Sequence, residues 1–269
     1  MLSIALMLVC AAGQDDLVKL NLVSTGGMPK VGYYAPQRLT LSATKPDTIK
    51  KLPEGLAAPS FAVLPMTGPD KAVYHLVLDE PEGKPATLLV DANGNGDLTD
   101  DAPAEWTGKA GPARDGQKAF TMHSGGATVK LGSADKPFDA HLAMYRFDKT
   151  DPSRAQLKDT ILFYRDYVAE GELKLGDKSY KILLSDEAAH GDFRGEDKPD
   201  GSGVNLLIDV NGNGKFEARG ESYDVRKPFK IAGTAWELKD ISKDGTQLRV
   251  VKSDKKVDEV LPPPDHSVG

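Results

Sequence analysis

The sequence predicts a mainly β fold of two tandem homologous repeats, each a β-sandwich or small barrel. Three observations lead there. Apolar residues alternate or run continuously over short stretches, and helical spacing is scarce. Gly and Pro, 27 and 18 of 269 residues, punctuate the chain closely enough to favour many turns and short elements. Two stretches nearly repeat each other: Ala86-Thr-Leu-Leu-Val-Asp-Ala-Asn-Gly-Asn-Gly-Asp-Leu-Thr-Asp-Asp101 and Val204-Asn-Leu-Leu-Ile-Asp-Val-Asn-Gly-Asn-Gly-Lys-Phe-Glu217. Asp91 and Asp209, which open the two turns, are 118 positions apart.

In chain order, Met1–Val9 is a short apolar run followed by Cys10, Ala11, Ala12 and Gly13. It is too short to anchor in a bilayer and reads as a signal peptide over 1–13, placing the mature chain in a secreted or periplasmic setting. Cys10 is the only cysteine, so no disulfide framework exists; lipidation there is disfavoured because Val9 precedes it where a lipobox carries a small residue. Arg38–Ser42 alternates as a strand. Pro46–Leu56 and Pro152–Lys158 suit short turns. Tyr74-His-Leu-Val-Leu-Asp79-Glu80 precedes the first turn as Tyr180-Lys-Ile-Leu-Leu-Ser-Asp-Glu187 precedes the second, which extends the repeat upstream. Lys118–His123 alternates, Ser124-Gly125-Gly126 is expected to turn, and Ala127–Leu131 to return. Glu170–Ile182 reads as a hairpin turning at Gly176-Asp177, and 229–231 and 235–238 flank a turn at Ala232-Gly233. Asp244-Gly245 leads into Gln247–Val251. The repeats are expected at 14–134 and 135–262, with a disordered tail at 263–269.

The two Asn-Gly turns carry the chemistry. Each reads D-x-N-x-N-G: Asp91, Asn93, Asn95 and Gly96 in the first, Asp209, Asn211, Asn213 and Gly214 in the second. Ca²⁺ is a hard cation that takes about six to eight oxygens, and alternate side chains of a tightly curled loop converge on it while glycine at position 6 permits the turn. Position 7, Asp97 or Lys215, contributes its main-chain carbonyl, so the lysine is tolerated. Asp100 or Asp101 is expected to close the first loop, and Glu217 or Glu221 the second. The four carboxylates of loop one would repel one another without a cation. A metal-free reading also exists, because Asn-Gly is the strongest two-residue hairpin signal. A third, decayed loop at Asp186-Glu-Ala-Ala-His-Gly191 keeps positions 1 and 6 but has Ala188 and His190 at positions 3 and 5.

In this half-loop the chain resembles the calcium loops of the EF-hand and dockerin families. It departs at position 12, where Ala102 and Gly220 stand in place of the closing acid, and a strand rather than a helix enters each loop. Ser179–Val251 also resembles β-rich domains of secreted planctomycete proteins, in which such a loop, a Pro-Phe element (here Pro228-Phe229) and an Asp-Gly hairpin follow in order. That resemblance implies no catalytic activity, and no C-x-x-C is present to carry redox chemistry.

No enzyme motif stands out. His75, His123, His141, His190 and His266 lack a close zinc spacing; His75, His123 and His141 lie on strand-like stretches and are read as strand residues. The net charge of −6 without a basic run excludes nucleic acid as an expected partner. The expectation is therefore an exported, non-enzymatic protein with Ca²⁺-stabilised loops at the cell envelope and no membrane span after signal cleavage. A carbohydrate or protein adhesion module is the alternative, using Trp106, Trp236, Tyr33, Tyr34, Tyr164 or Tyr167 as a stacking face. A Ca²⁺-dependent hydrolase is the third reading.

Overall fold

A computed structural model describes residues 17–111 and 119–263. The signal peptide expected at 1–13, with Cys10, and residues from 264 on, with His266, lie outside them. The strands in chain order are β1 (Leu17–Lys19), β2 (Asn21–Val23), β3 (Gln37–Thr40), β4 (Pro59–Thr67), β5 (Val73–Asp79) and β6 (Thr87–Val90). They continue with β7 (Glu105–Ala110), β8 (Thr121–Ser133), β9 (Lys136–Phe147), β10 (Thr160–Arg165), β11 (Val168–Leu175) and β12 (Lys178–Asp186). The last are β13 (Val204–Ile208), β14 (Ser222–Asp224), β15 (Phe229–Ile231), β16 (Thr234–Lys239) and β17 (Gln247–Lys252). The fold is mainly β. Among the described residues no helix is long and apolar enough to cross a membrane.

The period of each run fixes its place. In β9, Phe138, Ala140, Leu142 and Met144 are buried while Asp139, His141, Ala143 and Tyr145 face outward, the mark of a strand packed on one side. β5 and β12 are continuous apolar runs, and all of Tyr74–Asp79 and Ile182–Asp186 is buried. Four antiparallel sheets result, ordered β3-β10-β9-β8-β7, β4-β5-β6, β14-β13-β12-β11-β2 and β1-β17-β16-β15.

The strands do not sort at 134/135. That position lies in the turn of the long β8–β9 hairpin, paired from Ser133 with Lys136 to Met122 with Phe147. Neighbouring strands joined by a tight turn close at little entropic cost, and here this local pairing sets the order. β9 and β10 thus complete the sheet of β3, β7 and β8, while β1 and β2 pair with β17 and β11, both beyond residue 134. Ser124-Gly125-Gly126 does not turn either. It is extended in the middle of β8, and glycine is needed because a Cβ on Gly125 would lie 1.8 Å from the Glu105 carbonyl oxygen of β7.

One hydrophobic cluster runs through all four sheets. Phe138 of β9, Tyr167 and Phe193 join them with ring centroids 5.9–6.2 Å apart. The 232–233 turn between β15 and β16 holds Ala232 at φ 49° beside Gly233 at φ 77°. A left-handed alanine is strained and Asn tolerates that region. Ala232→Asn is therefore expected to raise stability by about 0.5–1 kcal/mol in urea denaturation.

Candidate functional site

Both D-x-N-x-N-G loops leave the third strand of a three-stranded meander: β4-β5-β6 for the first, β11-β12-β13 for the second. Positions 4 and 6 need a left-handed backbone. Gly94 and Gly96 have φ 71° and 82°, and Gly212 and Gly214 have φ 79° and 78°. The asparagines curl the chain between them. Asn93 Oδ1 accepts the Asn95 N–H (2.9 Å) and Asn95 Oδ1 the Asp97 N–H (2.6 Å). Asn211 Oδ1 accepts the Asn213 N–H (2.9 Å) and Asn213 Oδ1 the Lys215 N–H (2.8 Å).

The first aspartate is the hub of each loop. Asp91 is wholly buried; its Oδ1 accepts the Asn95 N–H (3.1 Å) and its Oδ2 the Gly96 N–H (2.9 Å). Asp209 accepts the Gly212 N–H (2.8 Å) and the Gly214 N–H (3.0 Å). The closing acids divide their work the same way in both loops. Asp101 Oδ1 accepts the Ala92 N–H at 3.1 Å, and Glu221 Oε1 accepts the Val210 and Asn211 N–H groups at 2.8 and 3.0 Å. Asp100 instead receives the side-chain amides of Asn93 (3.4 Å) and Asn95 (2.9 Å), as Glu217 receives that of Asn213 (3.0 Å). Each loop keeps one buried carboxylate oxygen that no amide or hydroxyl reaches, Asp101 Oδ2 in the first and Glu217 Oε2 in the second, where the Glu217 carboxyl also meets that of Glu221. Native structures rarely leave such atoms unanswered, and a bound ion is one of the ways they are satisfied.

One sequence expectation needs correction. The carboxylates of loop one are not all mutually exposed. Lys51 Nζ lies 2.5 Å from Asp97 Oδ2, and with Thr99 it holds that carboxyl down at about 2. Asp97 thus has its side chain taken up by Lys51 and Thr99, leaving its main chain for a cation. His75 is a packed strand residue, buried in β5. Its Nδ1 lies 3.0 Å from Asp91 Oδ2 and its Nε2 2.7 Å from Thr48 Oγ1, in a chain that runs from the buried aspartate out to the exposed threonine. Among the described residues no three His, Cys, Asp or Glu side chains are grouped to hold a metal ion by themselves. A cation here would draw on asparagine and main-chain oxygens as well.

Burial sets the remaining electrostatics. It lifts the Asp101 carboxyl above its ordinary range. Burial first, then the neighbouring Glu217 carboxyl, pushes Glu221 up to about 7, whereas the Glu221 contact and the Asn213 amide hold Glu217 low. A carboxyl whose folded value is raised favours folding fully below its unfolded value and loses that contribution as pH rises through the folded one. In EDTA, stability should therefore fall between about pH 4.5 and pH 7, and Glu221→Gln should flatten the slope. Urea midpoints at several pH values check this.

Asp186–Gly191 repeats the loop backbone. Asp186 Oδ1 accepts the His190 N–H (3.2 Å) and Oδ2 the Gly191 N–H (2.7 Å), the same two positions that Asp91 grips. Position 6 is Gly191 at φ 76°, and position 4 is Ala189 forced to φ 53°. The Tyr167 hydroxyl donates to Asp186 Oδ2 at 2.7 Å where His75 stands in loop one. With Ala188 at position 3 and a histidine at position 5, this loop has no side-chain oxygens at the two positions the asparagines fill in the other loops.

The aromatic candidates separate. Trp236 and Tyr167 are core residues, and Trp106 stacks on His123 at 5.9 Å. The Tyr33 hydroxyl donates to Glu187. Tyr34 and Tyr164, with centroids 4.9 Å apart, instead lie on the open face of the β3–β10–β9–β8–β7 sheet beside Tyr145 and Phe147. No known protein family, curated protein or solved structure matches the chain.

Proposed function

We propose that this is an exported, non-enzymatic protein whose two D-x-N-x-N-G loops bind Ca²⁺, which stabilises them. The observation that carries the reading is the pair of orphaned buried carboxylate oxygens, one per loop, each beside a curl of asparagine oxygens. Asp91, Asn93, Asn95, Asp100, Asp101 and the Asp97 carbonyl would serve the first ion. Asp209, Asn211, Asn213, Glu217, Glu221 and the Lys215 carbonyl would serve the second. A hard cation supplies the charge that these oxygens lack and fastens the loop ends without a disulfide. Binding to the folded state alone adds about 1.4 kcal/mol per site at ten times the dissociation constant. Calorimetric titration with CaCl₂, paired with melting in CaCl₂ and in EGTA, tests it. Heat of binding and a raised midpoint are expected; no heat and equal midpoints overturn it.

A second reading, a carbohydrate-binding module with structural Ca²⁺, is favoured by the face carrying Tyr34, Tyr164, Tyr145 and Phe147. Tyr34 is 51 % exposed there, a large ring left to water. Affinity electrophoresis against a panel of polysaccharides decides: retardation lost in Tyr34→Ala and Tyr164→Ala supports it, and unretarded wild-type protein rejects it.

A further inference from the structure

We propose that the open end of the β15–β16 hairpin is a docking groove for an acidic peptide segment of a partner protein, held as an added strand on β16. β15 pairs with β16 only from Phe229 opposite Trp236 to Ile231 opposite Thr234. Beyond Trp236, β16 continues through Lys239 with β17 on one side only. On the other side the chain bends away, because the Lys227 N–H donates to the Asp224 carbonyl (3.0 Å) and the Arg226 N–H to its carboxylate (2.8 Å). The strands splay and leave a groove of about 390 Å³ between residues 225–227 and 237–241.

Three features of the groove fix the chemistry of its occupant. First, its floor is apolar, formed by Val225, Leu238 and Ile241. Second, its rim is basic. Arg194, Arg226, Lys227, Lys239 and Lys255 face two acids, Glu237 and Asp240, in a chain whose net charge is −6. Glu237 lies between Lys239 (2.9 Å) and Lys255 (3.2 Å), Asp240 lies 3.2 Å from Arg249 and Arg194 pairs with Asp192, so the charge the rim offers an occupant rests chiefly on Arg226 and Lys227. The arginines are pre-set. Arg194 is held in a fork by Asp192 (2.6 and 2.9 Å), and Arg226 Nη2 donates to the Gly195 carbonyl at 2.9 Å. Third, one wall is a strand edge, whose main-chain groups pair with an extended chain.

An extended peptide alternating acidic and apolar side chains meets all three. Its carboxylates reach the rim, its apolar side chains the floor, and its main chain the β16 edge. A polyuronate shares the charge but has no amides for the ladder. A bare edge is often protected by a single lysine, as Lys239 would do alone. Protection of that kind requires neither an apolar floor nor a groove.

Fluorescence anisotropy with a labelled Glu-Val-Glu-Val-Glu-Val-Glu peptide tests the proposal on the full chain, in EGTA and in CaCl₂ alike, so that its outcome is independent of the loops. Saturable binding is expected. It should weaken at least about tenfold when lysine replaces glutamate in the peptide, and again when alternate peptide amides are N-methylated. The double variant Arg226→Glu/Lys227→Glu should weaken binding at least about tenfold with an unchanged melting midpoint. No saturable binding, leaving a protected edge only, overturns the proposal. So does equal binding of the N-methylated peptide, or polygalacturonate binding sensitive to the double variant when the peptide does not bind.

Discussion

Asp91→Ala should cost about 3–5 kcal/mol of stability in EGTA, before any metal is considered. Three donors converge on this wholly buried carboxylate: the Asn95 and Gly96 amides and the His75 ring. Truncation strands the Gly96 amide and the His75 ring in the interior, while the Asn95 amide keeps Asn93 Oδ1, and the His75–Thr48 contact loses its anchor. Urea denaturation reads the loss directly. Asn95→Ala provides the contrast. Its side chain is exposed but accepts the Asp97 N–H and donates to Asp100, so stability in EGTA should fall by about 0.5–1.5 kcal/mol, well short of the Asp91→Ala loss. The increment gained in CaCl₂ should also shrink. A substitution that costs the empty fold less but removes the calcium response separates an ion's oxygen donor from a structural hub. If Asn95→Ala leaves the CaCl₂ increment intact, loop one does not use that oxygen.

Asp186→Ala should be of similar size, about 3–5 kcal/mol, and should be the same in CaCl₂ and in EGTA. Asp186 is fully buried at the junction of the sheets and accepts from Tyr167 Oη and from the His190 and Gly191 amides. Tyr167 in turn packs on Phe138 and Phe193, so the loss should loosen this aromatic contact in the shared core. Loop three folds the same curl without side-chain oxygens at positions 3 and 5. Its aspartate therefore works as a hydrogen-bond hub alone. A deficit that CaCl₂ repairs would contradict this.

Much of the architecture could be read from the residues because its signals are local. The burial alternation in β9, the turns at Gly176-Asp177 and Ala232-Gly233, and the strands entering both loops all follow from side-chain period and turn chemistry. What could not be read is non-local. Nothing near Leu17 announces that β1 pairs with Arg249, or that β9 belongs with strands before residue 134. Gly125-Gly126 resembled a turn because glycine serves close backbone approach as readily as reversal. Within the candidate site, the loop residues were legible and their supports were not. Lys51 reaches Asp97 and Thr48 reaches His75 from a segment whose sequence has no motif. The one visible cue was a histidine on the strand paired with β6.

The most direct test of the calcium loops is a titration of ¹⁵N-labelled protein with CaCl₂, followed amide by amide. Saturable shifts are predicted at Gly96 and Gly214 and their loop neighbours, with Gly191 of the oxygen-poor third loop unmoved. Unchanged Gly96 and Gly214 signals at millimolar Ca²⁺, or equal movement of Gly191, would contradict the account.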